Sequence, residues 1–423
     1  MRRSNFLKIF IALLFVTVGS YLVPIAPAAT VGPVTDPIGV VKIGKGEPIV
    51  IAWWFVVEGP DASLGIDTKR GVEIAVDDVG GKLLGHPIKL IGENSGCNAE
   101  GGVTAATKIA ANKQVVAAIG SNCSSEAVPG APILWKAGIP TVSPSNTAPI
   151  LTDPKRGPGY DGYLRTAHND KVQGRVAAEF ARKILKANKA ATIHDGSPYA
   201  EQLAAVFAEN FEKLGGKIVA REAISPTDTD MRPVLTRISL GVPDIIYYPI
   251  FIAAGGHVTR QAKEIGGLKN TALMGADGMF SPDFLRAAGP AALGMYHTSP
   301  DLSPEALGPR YVEFLKKHEK KYGEKPLAPF HAHAYDAAMM IFEAIKKVAK
   351  TDAAGNLYIG RKALRDALYA TKNFKGLTGT LTCNQWGDCA DPKIAVYQVV
   401  NTDPKTWNPG VNPKKIWTPY VKR

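Results

Sequence analysis

Two clusters of short polar residues hold most of the chemical potential of this chain. Ser121-Asn122-Cys123-Ser124-Ser125 follows the apolar run 115–119, and Ser143-Pro144-Ser145-Asn146-Thr147 follows the run 140–142. Hydroxyls and backbone N–H groups directly ahead of a helix suit a carboxylate. Tyr199, Phe251-Ile252 and Asp277 each follow another apolar run, and Asp277 brings the negative charge that an ammonium would need. Taken singly, each Ser or Thr is better read as a helix N-cap. Several such loops at the carboxyl ends of strands, all facing one cleft, read as a ligand site.

Catalysis finds less support. The sequence contains no G-x-x-x-x-G-K-[ST], no G-x-G-x-x-G after a strand, no G-x-S-x-G and no H-E-x-x-H. A hydrolase built on Ser124 or Ser143 lacks a paired histidine at any recognisable position. The chain is therefore read as a binding protein, not an enzyme, that needs no cofactor. His331 and His333 would share one side of a strand but diverge on a helix; a metal pair and a packed pair near a helix start both stay open.

Positioning these residues takes a sizeable fold. The chain has 423 residues, 45% hydrophobic and 21% charged, enough for two lobes with their own cores. Its formal charge of +12 is scattered rather than interleaved with aromatics on one face, and Arg2, Arg3 and Lys8 of the N-terminus contribute to it. Nucleic acid is not expected as a partner.

Residues 1–28 read as a secretory signal peptide, with the basic start Arg2, Arg3 and Lys8, an apolar run over 9–23, and small residues at Ala26, Ala28 and Ala29. Cleavage near Ala28 would deliver the chain to the periplasm with a tail over 29–47. Export gives the four cysteines a meaning. Cys97 and Cys123 flank one apparent helix, and Cys383 and Cys389 flank a turn, which argues for two local disulfides, although four cysteines allow three connectivities. A four-cysteine metal site is the alternative, but neither spacing fits a zinc pattern.

From Pro48 strands and helices alternate. The run 48–57, with Trp53, Trp54 and Phe55, predicts a strand buried on both faces. After Thr68, Val72, Ala75, Val76 and Val79 recur with helical spacing. Strands over 88–91, 115–119 and 140–142 alternate with helices over 100–112 and 127–136. A second series follows the Pro/Gly-rich stretch 153–159: helices over 172–185, 200–214, 231–239 and 256–265, and strands over 190–194, 217–223, 244–250 and 272–275. Helices over 309–321, 335–349 and 362–369 and a strand over 394–400 complete the reading. The expected class is α/β, two doubly wound lobes with mostly parallel sheets.

Gly59-Pro60 to Gly71, the block Cys97 to Cys123 with Ser124-Ser125, the run Ser143 to Pro149, and Asp277-Gly278 together resemble the periplasmic leucine/isoleucine/valine-binding protein family. These are the type I solute-binding proteins of ABC importers, and the resemblance runs from about Pro48 to about Val400. It implies lobe one over 48–166 and 300–376 and lobe two over 167–299 and 377–423, joined by a three-crossing hinge. It also implies pairing of Cys97 with Cys123.

In the site, the resemblance sets a ligand carboxylate against Ser124 and the Ser145-Asn146-Thr147 loop. The ammonium goes to the Ser145 carbonyl and Asp277, and Tyr199 covers the ligand from lobe two. The implied function is capture of a small amino acid, branched-chain or related, for an inner-membrane ABC permease, by a monomer. Where the family usually has an aromatic residue, a tyrosine region and a Glu, this chain has Leu64, Phe251 and the shorter Asp277. The pocket is accordingly expected to be wider and more apolar than one for leucine. The alternative ligand is an aromatic or other carboxylic acid.

Overall fold

The computed structural model describes residues 29–420, so the expected signal peptide lies outside the described residues. Among them, no helix is long and apolar enough to cross a membrane.

The apolar strand Ile49–Phe55 sits inside a six-stranded sheet, flanked by His86–Asn94 on one side and Val115–Gly120 on the other. Thr141–Ser143 and Tyr163–Arg165 extend the parallel ladder, and Lys82–Leu83 adds a short antiparallel edge. The second sheet has seven strands in the order Lys217–Ala223, Lys189–His194, Ile245–Tyr247, Ala272–Gly275, Tyr296–Pro300, Ile394–Gln398, Lys414–Trp417. Its first five strands are parallel, and Ile394–Gln398 runs antiparallel to both of its neighbours.

In each parallel core the first strand in sequence lies between the second and the third. The direction of winding reverses beside it, which opens a crevice at the carboxyl ends. In one lobe that crevice falls after Phe55 and Gly120, in the other after His194 and Tyr247. Of the loops singled out in the sequence, 121–125, Tyr199 and Phe251-Ile252 follow strands at a reversal point, while 143–147 and Asp277 follow the next strand out in each sheet, Thr141–Ser143 and Ala272–Gly275.

The chain leaves the first sheet at Arg165 and enters the second through the helix Asp170–Glu179. It leaves the second sheet at Pro300, and Pro309–Tyr322 and His331–Val348 then pack on the first-lobe helix Ala62–Asp78. It returns at Ile394. Between the last two crossings, the loop of the Cys383–Cys389 disulfide pairs with the first one: Arg165 N–H donates to Gly387 O and Cys389 N–H to Arg165 O. Both disulfides expected from the cysteine pattern are present, Cys97–Cys123 and Cys383–Cys389.

The N-terminal tail differs from the sequence reading. Residues 40–43 form the strand Val40–Ile43, antiparallel to Leu357–Gly360. The buried Asp36 carboxylate accepts the N–H groups of Lys362 and Ala363 and so caps Arg361–Tyr369. A four-residue strand set among Gly and Lys has too little apolar periodicity to be seen in sequence.

Candidate functional site

The helix Ser124–Lys136 begins at the crevice of the first lobe. Its first-turn Glu126 carboxylate accepts the N–H groups of Cys97 (2.7 Å) and Cys123 (2.9 Å), fastening both halves of the disulfide to the helix start. Burial nevertheless pushes this carboxyl up to about 7.

Hydroxyl bonds weld the two polar loops together. Ser143 Oγ donates to Ser121 O at 3.0 Å, Ser145 Oγ donates to Asn122 O at 3.0 Å, and Ala148 N–H donates to Ser124 Oγ at 3.2 Å. Neither Ser124 nor Ser143 is hydrogen-bonded to a histidine among the described residues, so no nucleophile and base pair forms here.

Ser124, Ser145 and Thr147 line one cavity together with Leu64, Tyr199, Phe251 and Asp277. Asn146 does not join them. Its amide turns into the lobe, donating to Ser121 Oγ at 3.1 Å, while its carbonyl accepts from buried Arg165. Set between the cavity-lining Ser145 and Thr147, Asn146 thus serves as the anchor of the loop.

From the second lobe, Tyr199 stands in the first turn of Pro198–Lys213. Its hydroxyl donates to Asp277 Oδ1 at 3.3 Å and accepts Gly278 N–H at 3.2 Å. A Cβ on Gly278 would meet Ile250 O at 2.8 Å, so this close approach requires glycine. Phe251, just ahead of Ile252–Ala262, packs its ring 5.4 Å from that of Tyr199. Burial pushes the Asp277 carboxyl up to about 6, against the lowering effect of its bonds from Gln173 and Tyr199.

Four further residues reach the site, two of them from the first polar cluster and one beside Asp277. Asn122, Cys123 and Gly278 line it, and so does Phe330 at the start of His331–Val348. Phe330 stacks on His168 at 6.2 Å and meets His333 edge-on at 5.4 Å. An isolated Phe ahead of an apolar helix reads as core in sequence, which hid it. The enclosed space is small, about 20 Å³. Phe330, Tyr199 and Phe251 take up much of the room.

His331 and His333 do not form a metal pair. They lie on a helix, where His331 bonds Asp67 through Nδ1 and Tyr311 through Nε2, and burial holds His333 neutral, at about 3.

The lobes meet directly around the cavity. Ser63 Oγ lies 2.7 Å from Ser281 Oγ, Ile252 N–H donates to Asp61 at 3.1 Å, and Ile150 N–H donates to Gln202 at 2.9 Å. Trp407 adds a fourth contact: its ring packs on Phe280 of the second lobe while Nε1 donates to Pro326 O at 3.0 Å.

Two facing α/β lobes with one polar and aromatic cavity between them are the geometry of a binding protein that encloses its ligand. A family model described as periplasmic binding protein matches residues 48–403. The chain belongs to the periplasmic binding protein family. Its fold is the type I fold of that family, and its members are substrate-binding proteins of ABC-type transporters rather than enzymes.

This periplasmic binding protein is 26% identical over 377 residues to the Leu/Ile/Val-binding protein homolog 3 of Brucella melitensis, covering 88% of this chain and 95% of the relative. The branched-chain amino acid transporter substrate binding protein LivJ of Streptococcus pneumoniae, solved in complex with isoleucine, superposes with a TM-score of 0.74 at 25% identity, over 84% of this chain and 97% of that one. A solute binding protein of Rhodopseudomonas palustris solved in complex with benzoate has a TM-score of 0.69 at 21% identity, over 83% and 93% of the two chains, a likeness of fold alone.

Proposed function

We propose that this periplasmic binding protein captures a small amino acid, branched-chain or a related apolar one, and presents it as a monomer to an inner-membrane ABC permease. The signal peptide would direct export and be removed near Ala28. The observation that carries the reading is the pairing of opposite chemistries in one cavity. The start of Ser124–Lys136, with Ser124 and Thr147, offers donors to a carboxylate, and Asp277 offers an acceptor to an ammonium. Leu64, Phe251 and Phe330 give the side chain an apolar surround.

With so little free space, a ligand enters when the lobes separate, and contacts from both lobes then favour closure. The permease would read the closed form.

The same aromatic lining supports a second reading, in which an aromatic acid lies among Tyr199, Phe251 and Phe330 and Asp277 keeps its proton. Calorimetry with leucine, isoleucine, valine, alanine and benzoate separates the two. The amino-acid reading expects saturable heat with at least one amino acid and its loss in Asp277→Ala; heat with benzoate alone would replace it with the second.

A further inference from the structure

Asp277 is held from behind. Gln173, wholly buried in the first turn of Asp170–Glu179, donates from Nε2 to Asp277 Oδ1 at 2.6 Å. The same nitrogen donates to Thr298 O at 3.2 Å and Oγ1 at 3.1 Å. Oε1 lies 2.5 Å from His168 Nε2. An amide has two donor hydrogens and an acceptor oxygen, so every polar atom of the side chain is engaged. Rotated by half a turn, Oε1 would face the carboxylate and the Thr298 carbonyl, acceptor against acceptor. Burial pulls His168 down to about 4, and the neutral ring supplies its Nε2–H.

The supports of Gln173 lie in the hinge. His168 sits in the first crossing, between Arg165 and Asp170, and Thr298 sits in Tyr296–Pro300, the strand that leads into the second. Oδ1 of Asp277 takes the bonds of Gln173 and Tyr199, whereas no side chain among the described residues bonds Oδ2.

We propose that Gln173 is the positioning residue of this site: it pins Asp277 Oδ1 so that Oδ2 serves the cationic group of the ligand, and its anchors in two crossings tie that aim to the hinge. Gln173 does not touch the ligand. It acts through Asp277, and the proposal rests on the reading of Asp277 as the partner of an ammonium.

Two measurements on the full chain test it. Carboxyl NMR of the ligand-free protein follows the titration of Asp277, assigned by its loss in Asp277→Asn; Asp170, Tyr199 and Tyr247 are the other titratable groups around it. Gln173→Met keeps the length of the side chain and removes the donor, so the Asp277 midpoint is expected to rise by roughly one pH unit. Gln173→Glu, closer still in shape, sets a second acid beside the first and shifts the midpoint the same way. An unchanged midpoint in both variants would overturn the proposal.

Calorimetry with leucine then compares wild type, Gln173→Met, Asp277→Asn and the double variant. Gln173→Met is expected to weaken binding about tenfold alone and to add nothing in the Asp277→Asn background. Losses that simply add would overturn it. Should leucine bind Asp277→Asn as well as wild type, the amino-acid reading fails, and the NMR titration still decides the role of Gln173.

Discussion

Arg165 Nε stands 2.5 Å from Asp388 Oδ1, joining the end of the last first-lobe strand to the loop closed by Cys383 and Cys389. The same guanidinium donates to the carbonyls of Asn146 and Ala148, on either side of Thr147. Arg165 is wholly buried, so water cannot replace a lost partner. Asp388→Ala is expected to cost about 3 kcal/mol, read as a lowered urea midpoint. Ligand affinity should fall with it, because the Thr147 loop loses a fixed anchor. Unchanged stability would mean that the backbone carbonyls alone hold the charge.

The pH dependence of binding carries a sign that identifies the ligand. Without ligand, Asp277 is pushed up to about 6; a bound ammonium favours its charged form and lowers that value. Binding then releases a proton, so affinity for an amino acid should rise as pH increases through about 6 and level off above it. A benzoate-like ligand that needs the protonated acid would give the opposite slope. Burial raises Asp61 to about 6 against the lowering bond from Ile252 N–H, so any proton uptake there on closure would work against the first trend. Calorimetry in an Asp61→Asn background isolates Asp277.

Trp407 bridges the lobes outside the cavity, and its loss should act on closure rather than on ligand chemistry. Trp407→Phe keeps a ring against Phe280 and removes the donor to Pro326 O. Binding is expected to weaken by roughly fivefold, within the usual worth of one hydrogen bond. Trp407→Ala should weaken it further and increase the radius of gyration by small-angle scattering. Equal scattering for the two variants and wild type, with affinity unchanged, would remove Trp407 from the closing mechanism.

The Cys97–Cys123 disulfide spans the helix Ala99–Ala111 and ends in the cavity wall. Replacing both cysteines with Ser should lower stability by about 3 kcal/mol through the freed chain. Glu126 still accepts both backbone N–H groups, so the helix start keeps its place, and affinity should fall less than stability does. Thermal unfolding and calorimetry on one preparation check both parts.

The strands that build the crevices were legible because they are apolar on both faces; Ile49–Phe55 and Val115–Gly120 lie close to the sequence expectation. Tyr163–Arg165 and Tyr296–Pro300 were not, since short runs holding Arg, His, Thr, Ser and Pro carry no strand pattern. Four helix starts were placed too late. The helices begin at Ala62, Ser124, Ile252 and His331, ahead of the apolar periodicity in each case. Their first turns face the cleft or the opposite lobe, where polar and small residues replace core ones. Most cavity residues could be named from their place after strands. Gln173 could not, because a polar residue inside a helix gives no sign of which buried acid it will meet.

The strand Lys414–Trp417 has a consequence for how copies of the chain meet. It lies past the family match and is the last strand of the seven-stranded sheet among the described residues, with only the turn at Gly410 and Val411 bridging to Lys414. Lys414 is exposed there, and Lys217 and Arg221 stand on the strand at the opposite rim. Cations on both rims oppose edge-to-edge pairing of two molecules. Exchanging Lys414 for Val would set an apolar residue beside exposed Ile416 while Lys415 keeps its pairing with buried Asp301, and the protein should then self-associate more readily on concentration with its affinity for ligand little altered.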